Sequence, residues 1–196
     1  IVWRDLVFLE TRKGLGVNFL KTERAALGMA VGYSFGRDED DSDDLQGLGD
    51  VEGGAKLTAF AEYTLGPLRF SSALSGQVSG DDTGVLADFS VAKPYQLSDR
   101  LMLIPALTTS IASEEYMTSY FGVSGAQSTR SGLSAFDAEG GFKDVGLVLN
   151  ARYALSEDWS LNGTIGYSRL LGDAADSPIT KSENQLRSDL GLTYRF

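Results

Sequence analysis

Apolar residues recur at every second position through most of the chain, the period of a strand with one apolar and one polar or small face. At the C-terminus Ser188, Leu190, Leu192, Tyr194 and Phe196 share one side, and Arg187, Asp189, Gly191, Thr193 and Arg195 the other. The same alternation sets Leu27, Met29, Val31, Tyr33 and Phe35 against Gly28, Ala30, Gly32 and Ser34. It sets Leu57, Ala59, Ala61, Tyr63 and Leu65 against Lys56, Thr58, Glu62 and Thr64, and Leu68, Phe70, Leu74 and Val78 against Arg69, Ser71, Ser75 and Gln77. Further on, Val145, Leu147, Leu149, Ala151, Tyr153 and Leu155 oppose Asn150 and Arg152, and Trp159, Leu161, Ile165 and Tyr167 oppose Ser160, Asn162 and Thr164. With Val2–Glu10, Leu15–Lys21, Val85–Tyr95 and Leu101–Ile111 the pattern predicts ten strands.

The segments joining these strands alternate in length. Lys21–Arg24, Leu65–Pro67, Leu97–Arg100 and Ser156–Asp158 are tight turns; Arg37–Gly53, Ser79–Gly84, Ala112–Phe142 and Gly172–Glu183 are longer. An antiparallel up-and-down transmembrane β-barrel has this asymmetry, with short periplasmic turns and long outer loops. Tyr63, Tyr95, Tyr153, Trp159, Tyr194 and Phe196 all fall toward the short-turn end, as a girdle at one membrane interface does. In such barrels the last strand closes the wall and ends in an aromatic, so Phe196 is the candidate assembly signal as well as an anchor.

Composition is compatible with this reading and narrows the alternatives. Hydrophobic residues make up 42% of the 196, and no run approaches the roughly 18 apolar residues of a membrane helix. A barrel needs no such run, because only alternate residues face lipid. The predicted inward face carries Lys56, Glu62, Arg69, Asp88, Arg152, Arg187, Asp189 and Arg195 among many Gly, Ala and Ser residues. The core of a soluble sandwich could not take so many charges, whereas a polar lumen can. A net charge of −10 argues against nucleic acid as a partner. The absence of Cys removes disulfides and thiolate metal sites.

Several stretches resemble the MipA/OmpV family of outer-membrane barrels. These are Ser119-Tyr120-Phe121-Gly122-Val123-Ser124, Ala126-Gln127-Ser128 and Arg130-Ser131-Gly132-Leu133 in the longest loop, and Gly36 to Asp41 with Gly47-Leu48-Gly49-Asp50 in the acidic one. Lys143-Asp144-Val145-Gly146-Leu147, Gly166 to Pro178, Trp3-Arg4-Asp5 and Gly14-Leu15-Gly16-Val17-Asn18 complete the match, which covers essentially the whole chain as a single barrel domain, 1–196. The resemblance implies a Gram-negative outer-membrane location. It also implies a scaffolding role, joining a murein transglycosylase to a murein synthase in peptidoglycan remodelling. Family members begin upstream of the position matching Ile1, which leads us to expect further N-terminal strands, added in pairs. The small polar lumen residues suggest the alternative of a narrow passive channel for ions or small solutes.

Candidate chemistry is sparse. Asp38, Glu39, Asp40, Asp41, Asp43 and Asp44 place six carboxylates in seven positions, but the spacing lacks the Gly of an EF-hand and reads as a solvated loop. With no His, Ser124 and Ser128 have no neutral-pH base, and nothing fixes the spacing of Asp137 and Glu139, so no enzyme activity, metal or cofactor is expected. Met117, Tyr120, Phe121 and Val123 are too apolar for an idle surface loop. Tyr120, Phe121, Gly122, Val123 and Arg130 are therefore the candidate partner site or lumen plug, unless the loop simply packs on its own rim. Tyr153, Trp159, Tyr194 and Phe196 are the candidate membrane-interface residues, with the lipid bilayer and lipopolysaccharide as expected partners.

Overall fold

A computed structural model describes the chain apart from Ile1, Arg4, Asp5, Thr11, Arg12, Asp82, Arg195 and Phe196. Among the described residues, twelve strands form one sheet. They are β1 (Val2–Trp3), β2 (Val7–Glu10), β3 (Gly14–Lys21), β4 (Ala25–Ser34), β5 (Gly54–Leu65) and β6 (Leu68–Gln77), followed by β7 (Val85–Ala92), β8 (Tyr95–Gln96), β9 (Leu101–Ala112), β10 (Gly141–Ala154), β11 (Trp159–Leu170) and β12 (Asn184–Tyr194). Every ladder is antiparallel, and strands pair in sequence order from β1 to β12, with β8 alone off the path. No ladder joins β12 to β1 among the described residues. The sheet curls into a barrel wall, since residues of β5 and of β12 line the same cavity.

The predicted faces are those observed. Leu147, Ile165 and Leu190 are 63%, 64% and 78% exposed, whereas Thr58, Ser110, Asp144 and Ser160 are buried. A protein surrounded by water seldom exposes a continuous apolar surface of this extent. A barrel in lipid requires it. No described helix is long and apolar enough to cross a membrane.

Three local predictions change. Val2–Glu10 is a hairpin rather than one strand, with Trp3 paired to Val7, which accounts for its mixed faces. Val85–Tyr95 stops at Ala92, and Tyr95 resumes as β8 after Lys93-Pro94, because Pro has no N–H for the ladder. The lumen is also less empty than its Gly, Ala and Ser content suggests. Phe8 and Phe60 both point inward, buried, with ring centroids 5.6 Å apart. Gly16 and Gly28 oppose them for a steric reason, since a Cβ there would stand 2.3 Å from the Phe8 ring and 2.5 Å from the Phe60 ring.

Candidate functional site

The long segments between strands fold into a cap over one end of the barrel. The loop between β9 and β10 carries two helices, α1 (Glu114–Phe121) and α2 (Gly125–Ser131), and a third, α3 (Gly172–Asp176), follows β11. Ser113 accepts from Tyr116 N to start α1 and also accepts from Val85 N, tying the helix to the end of β7. Ser124 and Gln127 form a reciprocal capping box at α2, and Gly132 ends that helix in the left-handed conformation that an L side chain resists. These capping signals stand in the sequence, as Ser113-Glu-Glu and Ser124-x-x-Gln127; strand periodicity passes over them.

The cap has its own core. Met117, Ala138 and Ala174 are buried with Ala112 and Leu170 at the strand ends, and Tyr116, Phe121 and Phe136 pack against them. Val123, 1% exposed, exchanges backbone hydrogen bonds with Phe136 at 2.8 and 2.9 Å. Three loops are bound together here. Arg37 Nη1 donates to Tyr120 O (3.2 Å), Arg130 Nε to Gly47 O (3.2 Å), Gln127 Nε2 to Leu48 O, and Ser177 Oγ to Phe121 O (2.6 Å). Lys181 pairs with Asp44 at 3.0 Å.

Of the five residues singled out in this loop, Val123 is thus internal, and Phe121 lies against the cap core. Gly122 ends α1, its N–H donating to Met117 O and Thr118 O. Tyr120 and Arg130 carry the contacts to the acidic loop. Tyr116 and Tyr120 share a small chamber with the inward residues Ser34, Lys56, Ser75 and Leu86, so this helix face looks into the barrel. Burial is the main cause of a Tyr116 pKa raised above the ordinary tyrosine range; Tyr120, Asp88 and Asp144 add to it. Burial likewise lowers the Arg37 pKa, against the smaller opposing influence of Tyr120 and Asp50.

The acidic run folds as two short 3₁₀ turns, and several of its carboxylates accept from backbone N–H groups of the same loop. Asp38 accepts from Asp40 N, and Glu39 accepts from Gly47 N and Gly49 N at 3.0 and 2.8 Å.

Below the cap, several charged groups of the wall are engaged with neighbours. Lys13 reaches Glu62 at 2.9 Å and lies 4.3 Å above the Phe60 ring. A bulge between Phe142 and Asp144 places Lys143 beside Asp144 as an ion pair, and Asp88 accepts from Ser110 Oγ at 2.7 Å. Lys13, Lys143 and Asp144 are not among the predicted inward charges, the first because it sits in a turn and the other two because the bulge interrupts the period of two.

At the opposite end, Trp159 and Tyr194 are cross-strand partners with ring centroids 4.9 Å apart, both half-exposed on the outward face. Tyr153 is outward on β10, two residues from the next tight turn, while Phe196 and Arg195 lie outside the described residues.

Residues 2–196 match the family described as MltA-interacting protein MipA. The MltA-interacting protein of Escherichia coli (strain K12) is 33% identical over 144 residues, 73% of this chain and 55% of that protein. The outer membrane protein OmpV of Vibrio cholerae is 28% identical over 177 residues, 86% of this chain and 63% of that protein. The chain therefore spans little more than half the length of these curated relatives. The crystal structure of Neisserial surface protein A aligns over 88% of this chain and 95% of that one at 14% identity and a TM-score of 0.24. The fold rests on the strand register rather than on that alignment.

Proposed function

The chain belongs to the MltA-interacting protein MipA family, and from that membership we propose that it works as a structural barrel that scaffolds a partner. It is an outer-membrane β-barrel protein. The observation that carries the structural reading is the cap, with its buried core of Met117, Ala138 and Ala174. Conduction needs a continuous water path, and here α1 lies across the barrel mouth while Lys13 reaches over Phe60 to Glu62 deeper in. A barrel whose mouth is covered by a packed cap suits an anchor.

The relatives' name supplies the partner class. A murein transglycosylase is the proposed direct partner and a murein synthase the proposed second member, both meeting the short-turn face, where murein lies. Tyr153, Trp159, Tyr194 and Phe196 are the proposed interface anchors toward the bilayer, with lipopolysaccharide the lipid met at the cap end. The relatives are named as interacting or outer membrane proteins and not as enzymes, and no catalytic role is proposed.

Surface plasmon resonance with a purified membrane-bound lytic transglycosylase tests the scaffold. Saturable binding to the immobilised barrel, absent with an unrelated barrel of similar size, is the expected result; equal retention by both ends this reading. The second reading, a narrow passive channel, is favoured by the lumen cavity of about 680 Å³ with its charged wall. Stable ion-selective steps in planar bilayers would establish it in place of the occluded anchor.

A further inference from the structure

Beneath the cap, the wall of that cavity carries hydroxyl groups beside the Lys13–Glu62 pair. Ser71, Ser90, Thr108, Gly146 and Ser168 are successive partners across β6, β7, β9, β10 and β11, so the ladder register brings four hydroxyls into one row around the lumen. All but Gly146 line the cavity. Gly146 keeps the row open at its middle, where a Cβ would stand 2.9 Å from Thr108 Oγ1.

The charged groups on this wall are already engaged. Glu62 has Lys13, Lys143 has Asp144, Arg187 has Asp189 at 3.4 Å, and Asp88 has the Ser110 hydroxyl. The hydroxyls have capacity to spare. Ser71 and Ser90 bond only to each other, at 2.7 Å, and the Thr108 and Ser168 hydroxyls have no partner among the described residues. An ionic solute would have to compete with an existing pair to be recognised, giving up one charge-assisted contact for each it gained. A neutral solute with many hydroxyls can donate to and accept from the row without disturbing any pair.

We propose that the lumen cavity is a binding site for a neutral polyhydroxylated solute of mono- or disaccharide size. A volume of about 680 Å³ falls in the range of pockets that hold small molecules. Thr108 and Ser168 are the residues whose free hydroxyls contact it, and Ser71 and Ser90 complete the row. The site is independent of the scaffold role, since it faces the lumen and not the short turns.

The test is saturation-transfer difference NMR on the protein refolded in a sugar-free detergent. The probes are maltose and mannitol, with glucose and glucose 6-phosphate as a neutral and charged pair. Saturable transfer to maltose or mannitol is expected, with glucose preferred over its phosphate. The Thr108→Val/Ser168→Ala double variant should weaken binding about tenfold, the loss of one or two neutral hydrogen bonds. Ser75→Ala, inward but outside the row, should leave it unchanged. Heat-modifiable gel mobility confirms that each variant is folded. Absence of saturable transfer from either polyol, preference for the phosphate, or a folded double variant that binds as well as the parent overturns the proposal.

Discussion

Leu149 and Asn150 are neighbours on β10 with opposite surroundings. Leu149 points outward and is 41% exposed, whereas Asn150 points inward and accepts from Thr164 Oγ1 at 3.0 Å. Leu149→Arg places a charge against lipid and should cost about 2–4 kcal/mol if the site is near the bilayer midplane. Asn150→Arg loses one neutral hydrogen bond, worth about 1 kcal/mol, and leaves the new charge in a polar lumen. Folding titrations into lipid vesicles should separate the two variants; equal losses would contradict the assignment of faces. This contrast was legible in the sequence, because a period of two assigns each side chain to a face without further information. The pairing of Lys13 with Glu62, 49 positions along the chain, was not, since only the curvature of the sheet brings them together.

At the scale of elements, α1 is where the cap is most sensitive to pH. Tyr116 has its pKa raised by burial and, to a lesser degree, by Tyr120, Asp88 and Asp144. An acid whose pKa is raised on folding contributes stability that is fully present below its unfolded value, about 10 for tyrosine. That contribution is lost as pH climbs through the raised folded value. The cap should therefore be indifferent to pH near neutrality and loosen in strong alkali. Tyr116→Phe keeps the ring and removes the titrating group, so its cap should hold to higher pH. Absorbance at 295 nm combined with limited proteolysis of residues 113–140 would follow this. All tyrosines ionising together near the ordinary value, with no change in the variant's cleavage, would contradict it. The Lys181–Asp44 bridge contributes little by comparison, since both side chains are more than half exposed, and such pairs are worth ~0–1 kcal/mol.

For the whole molecule, the alternation of loop lengths sets an orientation that the cap makes testable. Asp41 and Lys181 are exposed on capped loops, and Glu157 is exposed in a tight turn at the other end. With the cap outside the cell, single cysteines at Asp41 and Lys181 should react with an impermeant maleimide on intact cells, and one at Glu157 only after the membrane is permeabilised. The reverse pattern would invert the barrel and place the cap, not the turns, on the murein side. The scaffold proposal would then have to move its partner to the helices.

The positions of most strands and the two faces of each follow from local chemistry. An apolar side chain on every second residue excludes a helix, and charges on the other face exclude a dry core, so the alternation of residues such as Leu149, Asn150, Ala151, Arg152 and Tyr153 points to a barrel wall before any contact is known. The Val2–Glu10 hairpin and the break at Pro94 were missed because they depend on where pairing stops, which periodicity does not record. The cap was decided by tertiary structure. Met117, Phe121 and Val123 are conspicuous in the sequence as apolar residues in a loop, but whether they meet a partner or one another depends on Arg37, Leu48 and Ser177 arriving from loops tens of residues away. The hydroxyl row of Ser71, Ser90, Thr108 and Ser168 belongs to the same class. Each of the four is an ordinary polar position on its own strand, and only the register of the antiparallel ladders aligns them, because one residue of slip would turn each to the lipid face.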